Sequence, residues 1–204
     1  MLELNRFAIQ ENKTVFPSVQ TYDIRNGDTG ELVGTATETL SPLIKTLRWV
    51  LSKHWLPTRI EVREKPDDSL VFTVGRSGYL FRSRVEVRDA QDVLVGYFKS
   101  HLLTISGGFA VYDQNDTLFA QVQGRLFGFD YCFLTADNSV ELGRVSKRIG
   151  GPAGVAREVF FSADNYFLEI NPDLSEQPLA KMLLVAAALA IDLIYKSQTR
   201  GITD

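Results

Sequence analysis

The feature that most restricts the fold is an apolar segment near the end of the chain, KMLLVAAALAIDLIYK. Its uncharged run extends only from Met182 to Ile191, because Asp192 interrupts it. A membrane-spanning helix needs about 20 largely apolar residues, and an unpaired aspartate in the hydrocarbon is costly. A helix that is apolar on every face is normally buried by protein. The sequence therefore predicts a central helix over residues 178–196 that the rest of the chain surrounds.

Short strands in the middle of the chain can supply the surrounding wall. Segments such as RIEVRE, LVFTVG and LVGYFKS alternate apolar and polar residues, and Gly, Asp and Asn separate them. This alternation, with many β-branched and aromatic residues, is typical of half-buried strands. With the similar segments that follow, and with VQTYDI and ELVGTATET on either side of the turn RNGDTGE, about twelve strands are predicted.

The strands form a repeat in which an acidic or amide residue closes the first strand of each hairpin. These closing residues are Asn26, Glu64, Asp89, Asp113 and Asp137. The last four are spaced by 25, 24 and 24 residues. Glycine follows the first apolar residues of the second strand at Gly34, Gly96 and Gly143. A repeat of this length indicates stacked supersecondary units, which here are hairpins.

The longest interval of the repeat contains an amphipathic segment, SPLIKTLRWVLSK, which predicts a peripheral helix over residues 42–53. Ser41 suits its N-cap and Pro42 its first position. A long antiparallel series avoids open edges best by closing, and a barrel of about twelve strands is wide enough for a helix. The predicted fold class is mainly β, a closed antiparallel barrel around a central hydrophobic C-terminal helix. No compositional boundary appears, so residues 1–204 form one predicted domain.

Composition and motifs limit the classes of function. The net charge of −3 gives no overall attraction to nucleic acid. The single cysteine, Cys132, excludes an internal disulfide and favours a reducing, cytoplasmic location, with the thiol buried and inert. Neither His54 nor His101 lies in a nucleophile or metal motif, and no phosphate loop, dinucleotide fingerprint or CxxC is present. We therefore expect neither an enzyme nor a bound cofactor.

The block LGRVSKRIGGPAGVAREVFFSADNYFLEINPDLSEQPLAKMLLVAAALAIDLIY resembles the C-terminal part of the phospholipid scramblases. The similarity lies in the strand LGRVSK, the glycine-containing loop, the Ala-Asp-Asn-aromatic strand, the Pro-Asp-Leu step and the helix ending in Ile-Asp. YDIRNGDTGELVGTATE and the hairpin spacing match the N-terminal half. The plant LURP-one-related proteins are similar in the same way, and both groups belong to the tubby C-terminal-like superfamily. The resemblance implies a twelve-stranded barrel around a central helix and recognition of phospholipid head groups.

A basic cluster is the first candidate site. It consists of Arg144, Lys147, Arg148 and Arg157, around the sequence RVSKRIGGPAGVAR. The glycines of this stretch can expose backbone N–H groups to a phosphate, so the cluster suits an anionic head group. The alternative is a solvated strand face and loop, since charge clusters commonly lie on the surface. The cluster predicts at most weak, peripheral binding to anionic membrane lipid.

The resemblance also places a calcium segment at SADNYFLEINPD, with Asp164 and Asp173 as candidate ligands and Ser162 where the family has an acid. A calcium loop of the EF-hand type needs alternating carboxylates, a glycine at its sixth position and a glutamate at its twelfth. Phe167 and Asp173 occupy those two positions. If extended, the segment separates the two aspartates by ~30 Å. We therefore expect a strand leading into the central helix, capped by Asp173 or Ser175, and no metal.

Taken together, these features predict a scramblase-like tubby-fold domain, peripheral at the membrane, that binds anionic phospholipid head groups or another ligand at its surface. The alternative is a non-lipid scaffold or protein-interaction module on the same fold, because fold does not fix function. Catalysis inside the barrel is disfavoured, because the central helix should fill the lumen.

Overall fold

The protein is described by a computed structural model over residues 1–12, 20–39, 58–76, 84–100, 108–125, 130–146 and 165–200. The side chains of residues 58, 76, 100, 125 and 192–200 are outside this description. The predicted peripheral helix over residues 42–53 also lies outside the described residues.

Twelve strands and a long C-terminal helix make up the described chain. The strands are β1 (Arg6–Asn12), β2 (Thr21–Asn26), β3 (Leu32–Thr39), β4 (Thr58–Glu64), β5 (Ser69–Arg76), β6 (Arg84–Asp89), β7 (Leu94–Ser100), β8 (Phe109–Asp113), β9 (Leu118–Arg125), β10 (Asp130–Thr135), β11 (Glu141–Ser146) and β12 (Asn165–Ile170). A short 3-10 helix, Pro172–Leu174, precedes helix α1, Pro178–Arg200.

The strands form a closed barrel in which each strand pairs antiparallel with the next along the chain. The ring closes between the first and the last strand, with Arg6 opposite Glu169 and Gln10 opposite Asn165. Closure leaves no strand edge exposed, which is how a long antiparallel series avoids edge-to-edge association. The predicted mainly β fold, a twelve-stranded closed barrel with one C-terminal helix, is confirmed.

Alternation of buried residues with residues in contact with solvent, clearest in β2, β3 and β4, divides the barrel wall into two faces. In β4, Ile60 and Val62 are buried, whereas Arg59, Glu61 and Arg63 retain solvent contact. Successive side chains of a strand point to opposite faces of the sheet, so the apolar set faces the lumen. The same alternation in the sequence predicted these strands, and the eight segments from RIEVRE to VELGRVSK correspond to β4 to β11.

Two hairpin turns, β6–β7 and β8–β9, share one pattern of hydrogen bonds, which explains the repeat at Asp89 and Asp113. Asp89 Oδ1 accepts from the backbone N–H groups of Gln91 and Val93, at 3.0 and 2.8 Å. Asp113 Oδ1 accepts in the same way from the backbone N–H groups of residues 115 and 117, at 2.8 Å each. Asp and Asn side chains commonly mimic a backbone turn in this way. An acid at the end of the first strand therefore fixes the turn.

The turn between β10 and β11 corrects the predicted repeat by two residues. There the residue that closes the first strand is Thr135, whose hydroxyl accepts from the N–H groups of Ser139 and Val140, at 3.2 and 3.1 Å. Asp137 lies inside the turn and accepts from the Ser139 N–H at 3.1 Å. A threonine hydroxyl can make the same turn contact as an aspartate carboxylate. The search for an acidic residue therefore placed the end of the strand at Asp137, two residues too late.

Helix α1 fills the barrel. It begins at Pro178, as predicted, and ends at Arg200, beyond the predicted Lys196. Every side chain from Leu184 to Leu189 is fully buried. The helix contacts β5, β7 and β12, which lie on different sides of the ring. A helix buried on all faces inside a closed sheet explains why the apolar run shows no polar side.

Lys181 is the one charged residue buried in the first turns of α1. The sequence interpretation treated it as a charge flanking the apolar run, but its side chain has no solvent exposure. Its ammonium group donates to the carbonyl oxygens of Glu3 and Leu4, at 3.2 Å each. Burial lowers the pKa of Lys181, against the opposing charges of Glu176 and Glu3. Lys181 thereby ties the segment before β1 to the start of the helix.

Candidate functional site

The barrel has two chemically different ends. The turn end carries the five hairpin turns and the start of α1; it comprises residues 27–31, 64–69, 89–93, 113–117, 135–141 and 171–177. The far end is where the odd-numbered strands β1 to β11 finish and the even-numbered strands begin.

The basic cluster predicted from the sequence is only partly described. Arg144 lies on β11, which ends at Ser146 at the far end. Lys147, Arg148 and Arg157 lie outside the described residues. Their predicted role as an anionic head-group site therefore stays a prediction.

Arg144 is compensated by two carboxylates. Its guanidinium donates to both oxygens of Glu141, at 3.0 and 3.1 Å, and to Asp130 Oδ1 at 3.3 Å. The hydrogen bonds with Glu141 raise the pKa of Arg144 and lower the pKa of Glu141. A bidentate arginine–carboxylate pair satisfies most of the guanidinium donors. An incoming phosphate would have to displace carboxylates, so Arg144 is a poor primary ligand.

Cys132 lies beside this ion pair and is half-buried rather than buried as the sequence suggested. Its Sγ is 3.8 Å from a guanidinium nitrogen of Arg144. Burial, and then the neighbouring Glu141, raises the pKa of Cys132 to about 11. The thiolate is the reactive form of cysteine, so this thiol is protonated and inert at neutral pH.

The calcium candidates do not form a described metal site. Asp173 is exposed in the short 3-10 helix, and Asp164 lies outside the described residues. Strand β12 occupies the positions between them from Asn165 to Ile170, as the strand prediction required. Within the described ranges, no group of three or more His, Cys, Asp or Glu side chains is arranged to hold a metal ion.

The capping prediction for the central helix is wrong. Asn171, whose side chain accepts from the backbone N–H of Asp173 at 3.0 Å, caps the 3-10 helix instead. The Ser175 hydroxyl donates to the Pro172 carbonyl at 2.5 Å. Helix α1 begins later, at Pro178, because the 3-10 turn intervenes between β12 and the helix.

We expect no calcium binding at micromolar concentration. A calcium ion takes 6–8 oxygen ligands, whereas Asp173 is an exposed carboxylate in the short 3-10 helix after β12 and belongs to no metal-binding group among the described residues. Isothermal titration of the purified protein should show no stoichiometric heat in this range. A stoichiometric micromolar site that is lost in Asp164→Ala would contradict this expectation.

A cluster of two tyrosines and two cations was not predicted from the sequence; Tyr97 in it is buried, and Lys99 is exposed. The rings of Tyr97 and Tyr112 stack with centroids 5.1 Å apart and planes 9° apart. The Arg84 guanidinium lies 3.8 Å from the centroid of Tyr97. The Lys99 ammonium lies 5.2 Å from Tyr97 and 4.8 Å from Tyr112. These distances are within the range of cation–π attraction.

Strand register brings this cluster together. Arg84 pairs with Lys99 between β6 and β7, and Tyr97 pairs with Tyr112 between β7 and β8. Alternation in LVGYFKS indicated that Tyr97 and Lys99 share a face of the strand. This is the only sign of the cluster that the sequence contains. The residues opposite them depend on pairing across three strands, and sequence spacing does not determine that register.

Lys99 is the cation of this cluster that is open to a ligand. Its side chain is exposed, and within the described part of the chain it forms no ion pair. Arg84, in contrast, lies 3.2 Å from a carboxylate oxygen of Glu86. The two tyrosine rings fix the position of the Lys99 ammonium while leaving its hydrogen-bond donors to solvent or to an anion.

Comparison with known proteins gives one match. The family model described as Scramblase matches residues 69–198, which is more than half of the chain. No curated protein and no solved structure gives a significant match. Among the described residues, no helix has both the length and the apolar character required to cross a bilayer. The match spans β5 to β12 and nearly all of α1, so the chain belongs to the Scramblase family.

Proposed function

We propose that this domain binds anionic phospholipid head groups at the outer surface of its barrel, without catalysis. The observation that carries the proposal is the Lys99 ammonium, exposed, held over two tyrosine rings and free of ion pairs among the described residues. The resemblance to tubby-like lipid-binding domains supports the same ligand class. Because α1 fills the lumen, a head group must be bound outside it.

The predicted cluster of Lys147, Arg148 and Arg157 remains part of this proposal. Arg144 contributes less than the sequence suggested, because Glu141 and Asp130 already hold its guanidinium. Each basic residue near an anionic membrane contributes ~1 kcal/mol, so a few of them together give weak, peripheral binding.

Co-sedimentation with vesicles tests the proposal. We expect the protein to sediment with phosphatidylserine or phosphoinositide vesicles at low salt and less at high salt, because exposed charges are screened within ~8 Å at physiological ionic strength. The double variant Arg148→Glu, Arg157→Glu should bind more weakly, and vesicles of phosphatidylcholine alone are the control. Equal sedimentation of both proteins at low salt would remove these two residues from the site.

A protein-interaction module is the second candidate function, and it has its own observation. Val93, Val140 and Leu179 are the exposed large apolar side chains of the described residues; Val93 and Val140 lie at the turn end, and Leu179 lies next to it in the first turn of α1. Exposed apolar groups in a polar surround are typical of protein contacts when they form a patch. Failure of the wild-type protein to bind any anionic vesicle would favour this function.

A further inference from the structure

Two side chains of like charge lie opposite each other on neighbouring strands of the barrel. Arg84, at the start of β6, pairs in register with Lys99, near the end of β7. Residues paired in this way have Cβ atoms about 4.5–5.5 Å apart, and like charges directly opposite each other destabilise a sheet. The pair is therefore unfavourable in the domain alone, and an anion placed between the two side chains would reverse the sign of its contribution.

The two stacked tyrosines hold both cations in place. The Arg84 guanidinium lies 3.8 Å from the centroid of Tyr97, and the Lys99 ammonium lies 4.8 Å from that of Tyr112. Tyr97 is buried, so the stack is a firm support for the two cations. Cation–π attraction offsets part of the repulsion between them, but it leaves both positive charges in place.

Glu86 lies beside this pair but does not neutralise it. The hydrogen bonds described for its carboxylate come from Arg88, at 3.2 and 2.8 Å. Arg84 Nε lies 3.2 Å from the other carboxylate oxygen, but its N–H is not aligned for a hydrogen bond and has no acceptor among the described residues. One carboxylate is thus shared by two arginines.

Strands β6, β7 and β8 together carry an excess of positive charge on their outward face. Val87 and Phe98 belong to the core, so the residues that alternate with them point outward. The charged residues of this face are Arg84, Glu86, Arg88 and Lys99. Three cations and one carboxylate give a formal charge of +2, whereas the whole chain carries −3. An anion with two negative charges would match this face.

We propose that the face binds a phosphate monoester, with one phosphate group bridging the Arg84 guanidinium and the Lys99 ammonium. A phosphate monoester carries about −1.5 to −2 at neutral pH and has three acceptor oxygens, whereas a phosphodiester carries a single negative charge. A guanidinium can donate two parallel hydrogen bonds to such oxygens, and an ammonium binds them as a point charge. This inference rests on the proposed function and names the head-group chemistry at the same site.

Vesicles matched in total charge test the chemistry of the head group. Phosphatidic acid contains a phosphate monoester, whereas phosphatidylserine contains a phosphodiester, a carboxylate and an ammonium. We expect the protein to bind phosphatidic acid vesicles about fivefold more tightly than phosphatidylserine vesicles in co-sedimentation. Equal binding to the two would overturn the inference and leave the proposed function standing. Binding to neither would overturn the proposed function.

Arg63→Met is the matched control for Arg84→Met. Both arginine side chains are 38% exposed, and each lies near a glutamate two positions away on its own strand. Arg63, however, donates to Glu61 and to the Asp68 carbonyl. We expect Arg84→Met and Lys99→Met each to weaken binding to phosphatidic acid about fivefold, and Arg63→Met to change it less than about twofold. Equal losses at Arg63 and Arg84 would overturn the inference.

The double variant Arg84→Met, Lys99→Met tests whether one phosphate group contacts both side chains. Residues that share a ligand are not independent, so the combined loss should be smaller than the product of the two single losses. Losses that multiply would refute the bridging phosphate. Melting curves show whether each variant is folded. Lys99 is exposed, so Lys99→Met keeps the comparison decisive if Arg84→Met is unstable.

Glycerol phosphate distinguishes a lipid from a soluble ligand, because it carries the same monoester without acyl chains. We expect it to displace the protein from phosphatidic acid vesicles. Failure to displace would refute recognition of the monoester. Binding of glycerol phosphate, measured by calorimetry, without binding to any vesicle would assign the site to a soluble phosphate monoester; the proposed lipid function would then fail while the chemistry of the site would stand.

Discussion

Val185→Asp should unfold the protein or nearly so. Val185 is fully buried at the centre of α1, surrounded by the barrel wall. A carboxylate there would have no described partner, and an uncompensated buried charge costs about 3–5 kcal/mol. Since small domains are stable by only about 5–15 kcal/mol, the loss is a large part of the total. Urea or thermal denaturation followed by circular dichroism measures it.

Leu179→Asp is the matched control for this variant. It introduces the same carboxylate on the same helix, but Leu179 is 51% exposed, so the new aspartate side chain stays hydrated. We expect its melting behaviour to stay close to that of the wild type. If Val185→Asp also melts like the wild type, α1 does not lie inside the barrel.

Gly96→Ala should have the second-largest effect, although it adds only one methyl group. A Cβ at Gly96 would lie 2.3 Å from the Tyr112 carbonyl oxygen and 2.9 Å from Cδ2 of Leu183. The first contact is with the backbone of β8 and the second is with the central helix, so neither neighbour can move easily. Overpacking of this kind costs about 1–3 kcal/mol, which urea denaturation resolves.

Gly75→Ala is the control for the glycine variant. Gly75 also lies in a barrel strand, β5, but a Cβ there would meet no atom within 4 Å. Because glycine weakens a strand interior by roughly 0.5–1 kcal/mol relative to alanine, we expect Gly75→Ala to be neutral or slightly stabilising. A loss of stability at Gly75 as large as that at Gly96 would exclude the close approach as the cause.

Local patterns predicted most of the fold, because each depends on neighbours in sequence. Alternation located β4 to β11, and the absence of a polar face on the run from Met182 to Ile191 placed the helix in the interior. Gly96 was found as part of a repeat, but the reason for it is the close approach of the β8 backbone and of Leu183 on α1 to this position of β7. That approach requires strand register and helix position, which the spacing of the repeat does not contain.

The candidate site was less predictable, because charge compensation acts across strands. Arg144 looked like a free cation in the sequence, yet Asp130, on the neighbouring strand, binds it. Lys181 flanks the apolar run in the sequence, yet its side chain is buried and the carbonyl oxygens of Glu3 and Leu4 accept its hydrogen bonds. The partners of Lys181 are remote in sequence, so local spacing could not identify them, whereas Glu141, the bidentate partner of Arg144, is only three residues away and could have been considered from the sequence.

Closure of the ring between β1 and β12 constrains the order of events during biosynthesis. Strand β1 cannot gain its second partner until β12, Asn165–Ile170, has been synthesised. Until then the growing sheet has two unpaired edges, which favour association with other chains. The segment that fills the lumen, Pro178–Arg200, emerges later still, so the lumen can be filled only after both β12 and this helix have been synthesised. Such late, long-range pairing slows folding, and we expect the nascent chain to depend on protection by chaperones.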